Sequence, residues 1–315
     1  MPRGSLDWLG LAGLTLAGVI VLSAMRPDFL SSYNIFVLLG AIALSTMIAL
    51  GQLVVIGLGQ MNLSLGSIGG LVGVAFAGAM QIGGVAPSVA ILLGLALGLV
   101  CGLANGLLTA QAGISAFIVT LATLAAYKGL NLGFTEAQPL YDIPALVKSV
   151  GTASIFGPVP VLLIPAAIAA VFVWFLFDRL PLGRQILAVG GNSHAARLAG
   201  VSVSRAVIAT HALSGLLAGA AGMMAVARLQ VGQPTIGDDW LIPSFTAPVI
   251  GGAMLSGGHV SVAGTVSGVA LVALITQALV LFQVDPYYVQ FLLGLLILAA
   301  VGASRLRSVR QARAA

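Results

Sequence analysis

Lys128 and Lys148 are the only two lysines in the sequence, and they decide whether the chain could hold ATP by itself. A phosphate loop, GxxxxGK[ST], needs a lysine after a glycine turn to contact the nucleotide phosphates. Lys128 follows Tyr127 and Lys148 follows Val147, so neither belongs to such a motif. The histidines, His194, His211 and His259, share no ligand spacing and predict no metal site. The one cysteine, Cys101, lies in an apolar run, which excludes an internal disulfide and a thiolate metal site. The glycine pair in AVGGNSHAARLAG does not satisfy GxGxxG, and no soluble βαβ unit surrounds it. No nucleophile, base and orienting group can be assembled from the polar loops. The expectation is a chain with no catalytic residue and no cofactor of its own.

One polar stretch remains, GRQILAVGGNSHAARLAGVS from Gly183 to Ser202, with two arginines, a histidine and an asparagine. Its centre predicts a short helix: Asn192 and Ser193 can cap the start, and Gly200 can end it after Arg197-Leu198-Ala199. A rigid helix on a loop is an object another protein could grip.

The elements around it are apolar. Hydrophobic residues make up 59 % of 315 and charged residues 7 %, with mean hydropathy +1.12, where soluble domains carry about 25 % charged residues. No charged residue occurs in 29–127, a gap of 99 residues that accommodates about four spans of roughly 20 residues. This predicts an all-α, polytopic integral membrane protein. Ten spans are expected, near 8–25, 33–57, 62–82, 87–110, 115–135, 159–177, 206–229, 240–256, 260–282 and 287–304. The first could imitate a signal peptide, but it is long for one and only Arg3 is basic ahead of it. The eighth is crowded by Asp238, Asp239, Pro243 and Pro248.

Charge orients the spans. With both termini inside, nine basic residues (Arg3, Arg179, Arg184, Arg197, Arg205, Arg305, Arg307, Arg310 and Arg313) face the cytoplasm, against Arg26, Lys148 and Arg228 outside. Positive-inside asymmetry favours that orientation and explains a pI near 9.9 without nucleic acid. The polar loop, 178–205, is then cytoplasmic.

The chain also repeats weakly. GAMQIGGVAPSVAILLGLAL (Gly78–Leu97) aligns without gaps on GAMLSGGHVSVAGTVSGVAL (Gly252–Leu271), an offset of 174. The same offset maps 33–135 onto 206–304 within a single 1–315 permease domain. An odd number of spans per half would invert the second copy, a transporter trait. Gly94, Gly98, Gly102 and Gly106 recur every fourth residue, a ridge where another backbone can approach. Every acid falls at a span end or in a loop, which argues against a proton-coupled carrier without excluding Na⁺ coupling through carbonyls. Lys128 is the one charge well inside a span; snorkelling and lining a path are both open readings.

Four stretches carry a resemblance. PLGRQILAVGGNSHAARLAGVSVSR is similar to a loop patterned GR-x-I-x-A-V-G-G-N-x-x-A-A-R-L-x-G-[IV] in permease subunits of ribose-type, binding-protein-dependent ABC importers. NGLLTAQAGISAFIVTLATLAAYKGL, LQVGQPTIGDDW and VIGGAMLSGGHVSVAGTVSG resemble NGLL…PFIVTLGT…YRGL, AQPTAG and VxGGxSLxGGxGSxxGTxxG of the same family, in the family's order. The resemblance implies an importer of ribose-like monosaccharides or polyols in the inner membrane. It implies a separate ABC ATPase subunit, a periplasmic sugar-binding protein and a second permease copy, identical or not. By motif match it assigns Gly190, Gly191, Asn192, Ala195, Ala196, Arg197, Leu198 and Gly200 to the ATPase-coupling helix and its flanks. There are departures: Asn62 stands where the family usually has Asp, Lys128 replaces a common Arg, and His259 replaces a Gly.

Sugar passage requires hydrogen-bonding groups that do not hold the ligand tightly. The candidates are Gln52, Asn62, Ser64, Asn105, Thr120, Thr123 and Lys128, each equally readable as contact between helices. Loops 136–158 and 230–239 are the expected surfaces for the binding protein. The competing readings are an ion-coupled secondary transporter and an ABC permease for branched-chain amino acids or nucleosides.

Overall fold

A computed structural model of the chain describes residues 7–285 and, beyond them, residues 288, 291, 292, 294, 295 and 298. The expected span 287–304 and the terminal arginines fall mostly outside the described residues. Residues 7–285 hold twelve α-helices and no strand, only two isolated β-bridges. In chain order they are α1 (Asp7–Met25), α2 (Ser32–Ile56), α3 (Leu65–Gln81), α4 (Pro87–Ala110), α5 (Ala116–Thr135) and α6 (Ala145–Thr152). They continue as α7 (Leu163–Asp178), α8 (Pro181–Gly191), α9 (Ser193–Leu198), α10 (Val203–Leu229), α11 (Leu241–Ile250) and α12 (Val262–Leu281).

Serine caps set several starts. Ser31 accepts from Asn34 N (3.3 Å) at α2, and Ser261 accepts from Gly264 N (3.0 Å) at α12. The 27 residues of α10 reach about 40 Å at 1.5 Å per residue. α1, α2, α4, α5, α10 and α12 are each long and apolar enough to cross a bilayer. α7 and α8 together also qualify but meet at 69°. Pro181 opens α8, where its ring and missing N–H prevent continuation of α7. This is a polytopic membrane protein.

Two expected spans are shorter than their apolar runs. Within 62–82 the helix starts only at Leu65, because Asn62 Oδ1 accepts from Ser64 N (3.1 Å) and Ser64 Oγ (2.9 Å) and holds the entry non-helical. Within 240–256 the helix stops at Ile250, where Gly252 takes φ +90° and a turn carries Gly257 (φ +87°) and Gly258 (φ +81°). That backbone region favours glycine and ends a helix.

α2 and α10 are the centre, each with 72 % of its span buried, against 6 % for α1. α3 and α4 pack on α10; α11 and α12 pack on α2; α3 meets α4 as α11 meets α12. The glycine ridge of α4 explains how closely it approaches α10. A Cβ at Gly98 would stand 2.7 Å from Gly215 O, and one at Gly106 2.8 Å from Ile208 Cα. Outside this core, Leu92 on α4, Ile118 on α5 and Ile168 on α7 expose apolar side chains, as a lipid-facing surface requires.

Candidate functional site

The polar loop is two helices at an angle on the bundle. α8 buries Gly183, Ile186 and Val189, in a cluster with Leu58, Ala196 and Val207. Asn192 breaks the run with extended backbone, and its Oδ1 accepts from Ala195 N (2.9 Å) to start α9. Gly200, at φ +81°, ends it, with Val201 N donating to Ala196 O (3.0 Å). Ala196 is the one buried residue of α9. Ala195, Arg197 and Leu198 point away from the bundle, Leu198 with 79 % exposure.

Gly190 and Gly191 do something different. They end α8 against two other chain segments, the exit of α2 (Gly57–Gly59) and the turn after α11 (Ser256–Gly258). Gly258 N donates to Gly57 O at 3.1 Å. A Cβ on Gly190 would collide with Gly57 O and lie 2.7 Å from Gly258 N. One on Gly257 would lie 2.6 Å from Gly59 N and 2.8 Å from Gly190 O. Three backbones therefore touch without side chains between them. Of the eight loop residues only Gly190 and Ala196 are not exposed; Gly190 and Gly191 sit at the root of α9 and Gly200 at its far end.

Four of the seven polar candidates converge. Asn62 Nδ2 donates to Ser214 Oγ (2.9 Å), Asn62 Oδ1 accepts from Ser64 Oγ, and Asn105 Nδ2 donates to Ser64 Oγ (2.8 Å). With its amide turned to match, Gln52 donates to Asn62 O (3.1 Å) and accepts from Asn62 N (3.2 Å). Gln52, Asn62, Ser64, Asn105 and Ser214 are fully buried, so they join α2, the α2–α3 link, α4 and α10 directly. An ionised Asp at this position could not donate to Ser214; Asn62 can. Thr120 donates to Ala116 O (2.7 Å) and, more weakly, to Met61 O (3.3 Å), while Thr123 bonds only Thr120 O (3.4 Å).

Lys128 is apart from that cluster. Its Nζ donates to both carboxylate oxygens of Asp238 (2.6 and 2.8 Å) and to Pro234 O (2.8 Å). Asn131 Nδ2 reaches the same carbonyl (2.9 Å). The charge thus ties α5 to the segment before α11, and a cavity of about 110 Å³ opens beside the pair. Nearby, Leu140 and Gly232 exchange two backbone hydrogen bonds (3.0 and 2.9 Å), which joins loops 136–158 and 230–239. Among the described residues no cluster of His, Cys, Asp or Glu could hold a metal ion.

Residues 34–301 match the family described as branched-chain amino acid transport system / permease component. The chain belongs to this permease family. It is 37 % identical over 292 residues to the ribose import permease protein RbsC of Bacillus subtilis, covering 92 % of this chain and 90 % of that one. It is 32 % identical over 293 residues to the D-allose transport system permease protein AlsC of Escherichia coli, covering 92 % and 89 %. It is also 32 % identical over 309 residues to the L-arabinose ABC transporter permease protein AraH of Azospirillum brasilense, covering 96 % and 89 %. No solved structure matches the chain.

Sequence reasoning on the permease missed four polar partners: Ser214, His211, Gln60 and Asp238. His211, fully buried, has Nε2 3.0 Å from Gln60 Oε1. Asp238 was visible only as a loop acid, since its partner lies 110 positions earlier. A polar residue in an apolar helix signals a partner, but nothing local names it.

Proposed function

We propose that this permease is the membrane-spanning subunit of an ATP-driven importer carrying a ribose-like monosaccharide or polyol across the inner membrane. The names of its relatives, which specify ribose, allose and arabinose, carry the choice of cargo. The chain has no phosphate loop, so hydrolysis belongs to a separate ABC ATPase. α9 is the coupling helix seated in that subunit, and the glycine contact at its root passes movement to α2 and the α11–α12 turn. A periplasmic sugar-binding protein docks on loops 136–158 and 230–239, and a second permease copy completes the path.

Ten spans in two inverted halves, with both termini cytoplasmic, fit this reading. The exchange of contacts supports it: α3 and α4 on α10, against α11 and α12 on α2, with element starts close to the 174-residue offset. The two short helices, α3 and α11, are equivalents under that offset. Gln52, Asn62, Ser64, Asn105, Thr120, Thr123 and Lys128 border or brace the path.

The test is uptake of D-ribose, D-allose and L-arabinose into vesicles containing permease, ATPase and binding protein, with L-leucine included because of the family's description. ATP-dependent sugar uptake is expected. Uptake that persists without the ATPase and collapses with an ionophore would overturn the proposal in favour of a secondary carrier.

A further inference from the structure

The segment between α10 and α11, residues 230–240, is a strap laid between α3 and α5. Towards α3 the contact is backbone on backbone. A Cβ on Gly66 would collide with Gly237 O, and one on Gly70 with Ile236 O. Gly237 holds φ +90°, a conformation that favours glycine. Towards α5 the contacts are polar. Lys128 Nζ and Asn131 Nδ2 share Pro234 O (2.8 and 2.9 Å), and Lys128 also donates to both carboxylate oxygens of Asp238 (2.6 and 2.8 Å).

The cavity beside this pair is bounded by Leu63, by Ser67 at the start of α3, by Leu124 of α5 and by Leu241 at the start of α11. Its volume of about 110 Å³ is well below the ~300–1,000 Å³ of small-molecule sites. While Asp238 holds Lys128, this space is closed to a sugar. Both side chains are partly exposed, and an ion pair of that kind is weak enough to part and re-form.

The same stretch of chain reaches the other side of the bundle. α11 begins three residues after Asp238, and the turn that follows it, Ser256–Gly258, touches Gly57 and Gly190 at the root of α9. One helix of ten residues therefore joins the proposed coupling joint to the carboxylate that holds α5. Its packing is tight: a Cβ on Gly268 of α12 would stand 2.5 Å from Ala247 O of α11. A short, closely packed helix moves as a unit.

We propose that Asp238 is the latch of the outer gate. It holds Lys128, and with it α5, against the strap, and it lets go when the coupling stroke moves α11. Asp238 is a positioning residue, acting through Lys128 and the strap. The inference rests on the importer reading and on loop 230–239 facing the periplasm.

Leu124 lines the cavity and is partly buried, so a cysteine there reports its opening. In the permease–ATPase complex carrying Cys101→Ala and Leu124→Cys, a membrane-impermeant thiol reagent added outside should label slowly. Asp238→Asn should speed labelling about two- to five-fold, the shift in open population expected from losing one partly exposed pair. Salt should speed labelling when Asp238 is present and leave the Asp238→Asn rate unchanged. Asp239 is exposed and makes no hydrogen bond or ion pair among the described residues. Asp239→Asn removes the same charge and should label at the slow rate.

Movement is tested by Lys128→Cys with Asp238→Cys, joined by a short reducible thiol cross-linker. ATP-driven uptake with the binding protein should stop when the link forms and return on reduction. Labelling of Asp238→Asn no faster than that of Asp239→Asn, or full uptake while the link stands, overturns the latch. Either result beside intact wild-type uptake removes only the latch. No ATP-driven uptake of D-ribose, D-allose or L-arabinose by wild type removes the importer reading and this inference with it.

Discussion

The N–H of Gly258 donates to the carbonyl of Gly57 at 3.1 Å, and Gly190 closes against that same carbonyl. Three segments distant in sequence meet backbone to backbone at the root of the proposed coupling helix. Contact of this kind transmits displacement because there is no flexible side chain between the parts to absorb it.

Gly190 and Gly191 should therefore respond differently to the same change. Gly190→Ala places a methyl group against Gly57 O and should cost about 1–3 kcal/mol of overpacking. Gly191→Ala meets nothing closer than 4.0 Å and should be tolerated. Thermal unfolding in detergent and ATP-driven uptake measure both. Equal behaviour of the two variants would discredit the joint.

Arg197→Glu should uncouple transport and leave the permease folded. Arg197 is exposed on α9 and makes no side-chain hydrogen bond or ion pair among the described residues, so its stability change should stay within about 0.5 kcal/mol. The measurement is uptake together with co-purification of the ATPase. Wild-type uptake with intact association would remove α9 from the coupling role.

Asn62→Leu should destabilise the bundle, because Ser64, Ser214, Asn105 and Gln52 are linked through or beside it. Interhelical hydrogen bonds in membranes are worth about 0.6 kcal/mol each, with upper values near 1.7, so a loss of about 1–3 kcal/mol is expected for several. Asn62→Asp should be no milder, since it keeps the Oδ1 acceptor but buries a carboxyl with no cation hydrogen-bonded to it. Unfolding midpoints measure both variants; an Asn62→Asp protein as stable as wild type would contradict the buried placement.

The Lys128–Asp238 pair should contribute little to stability despite its 2.6 Å contact, because its side chains are 25 % and 49 % exposed. A double-mutant cycle with Lys128→Ala and Asp238→Ala should give about 0.2–1 kcal/mol, decreasing as salt rises. Lys128→Ala alone should cost more than the coupling term, since Pro234 O loses its charged donor while Asn131 remains. A coupling that is large and insensitive to salt would mean the pair is shielded in the membrane.

The sequence alone determined most of the long apolar helices and the place of α9, whereas α6 and α8 lie in stretches read as loops. Hydropathy reads each apolar helix from its own residues, Asn192 and Gly200 mark the ends of α9 by local backbone preference, and glycine at every fourth position of α4 marks a face for close approach. Tertiary structure alone decided the partners. Asn62 meets Ser214 across 152 positions, Lys128 meets Asp238 across 110, and Gly57, Gly190 and Gly258 share one contact. It also decided that the apolar runs at 62–82 and 240–256 would yield the shorter helices α3 and α11. Periodicity and capping act over a few residues, whereas these pairings depend on how already formed helices pack. Apolar sequence is nearly uniform in that respect, so only the folded bundle selects which glycine and which polar group comes opposite which.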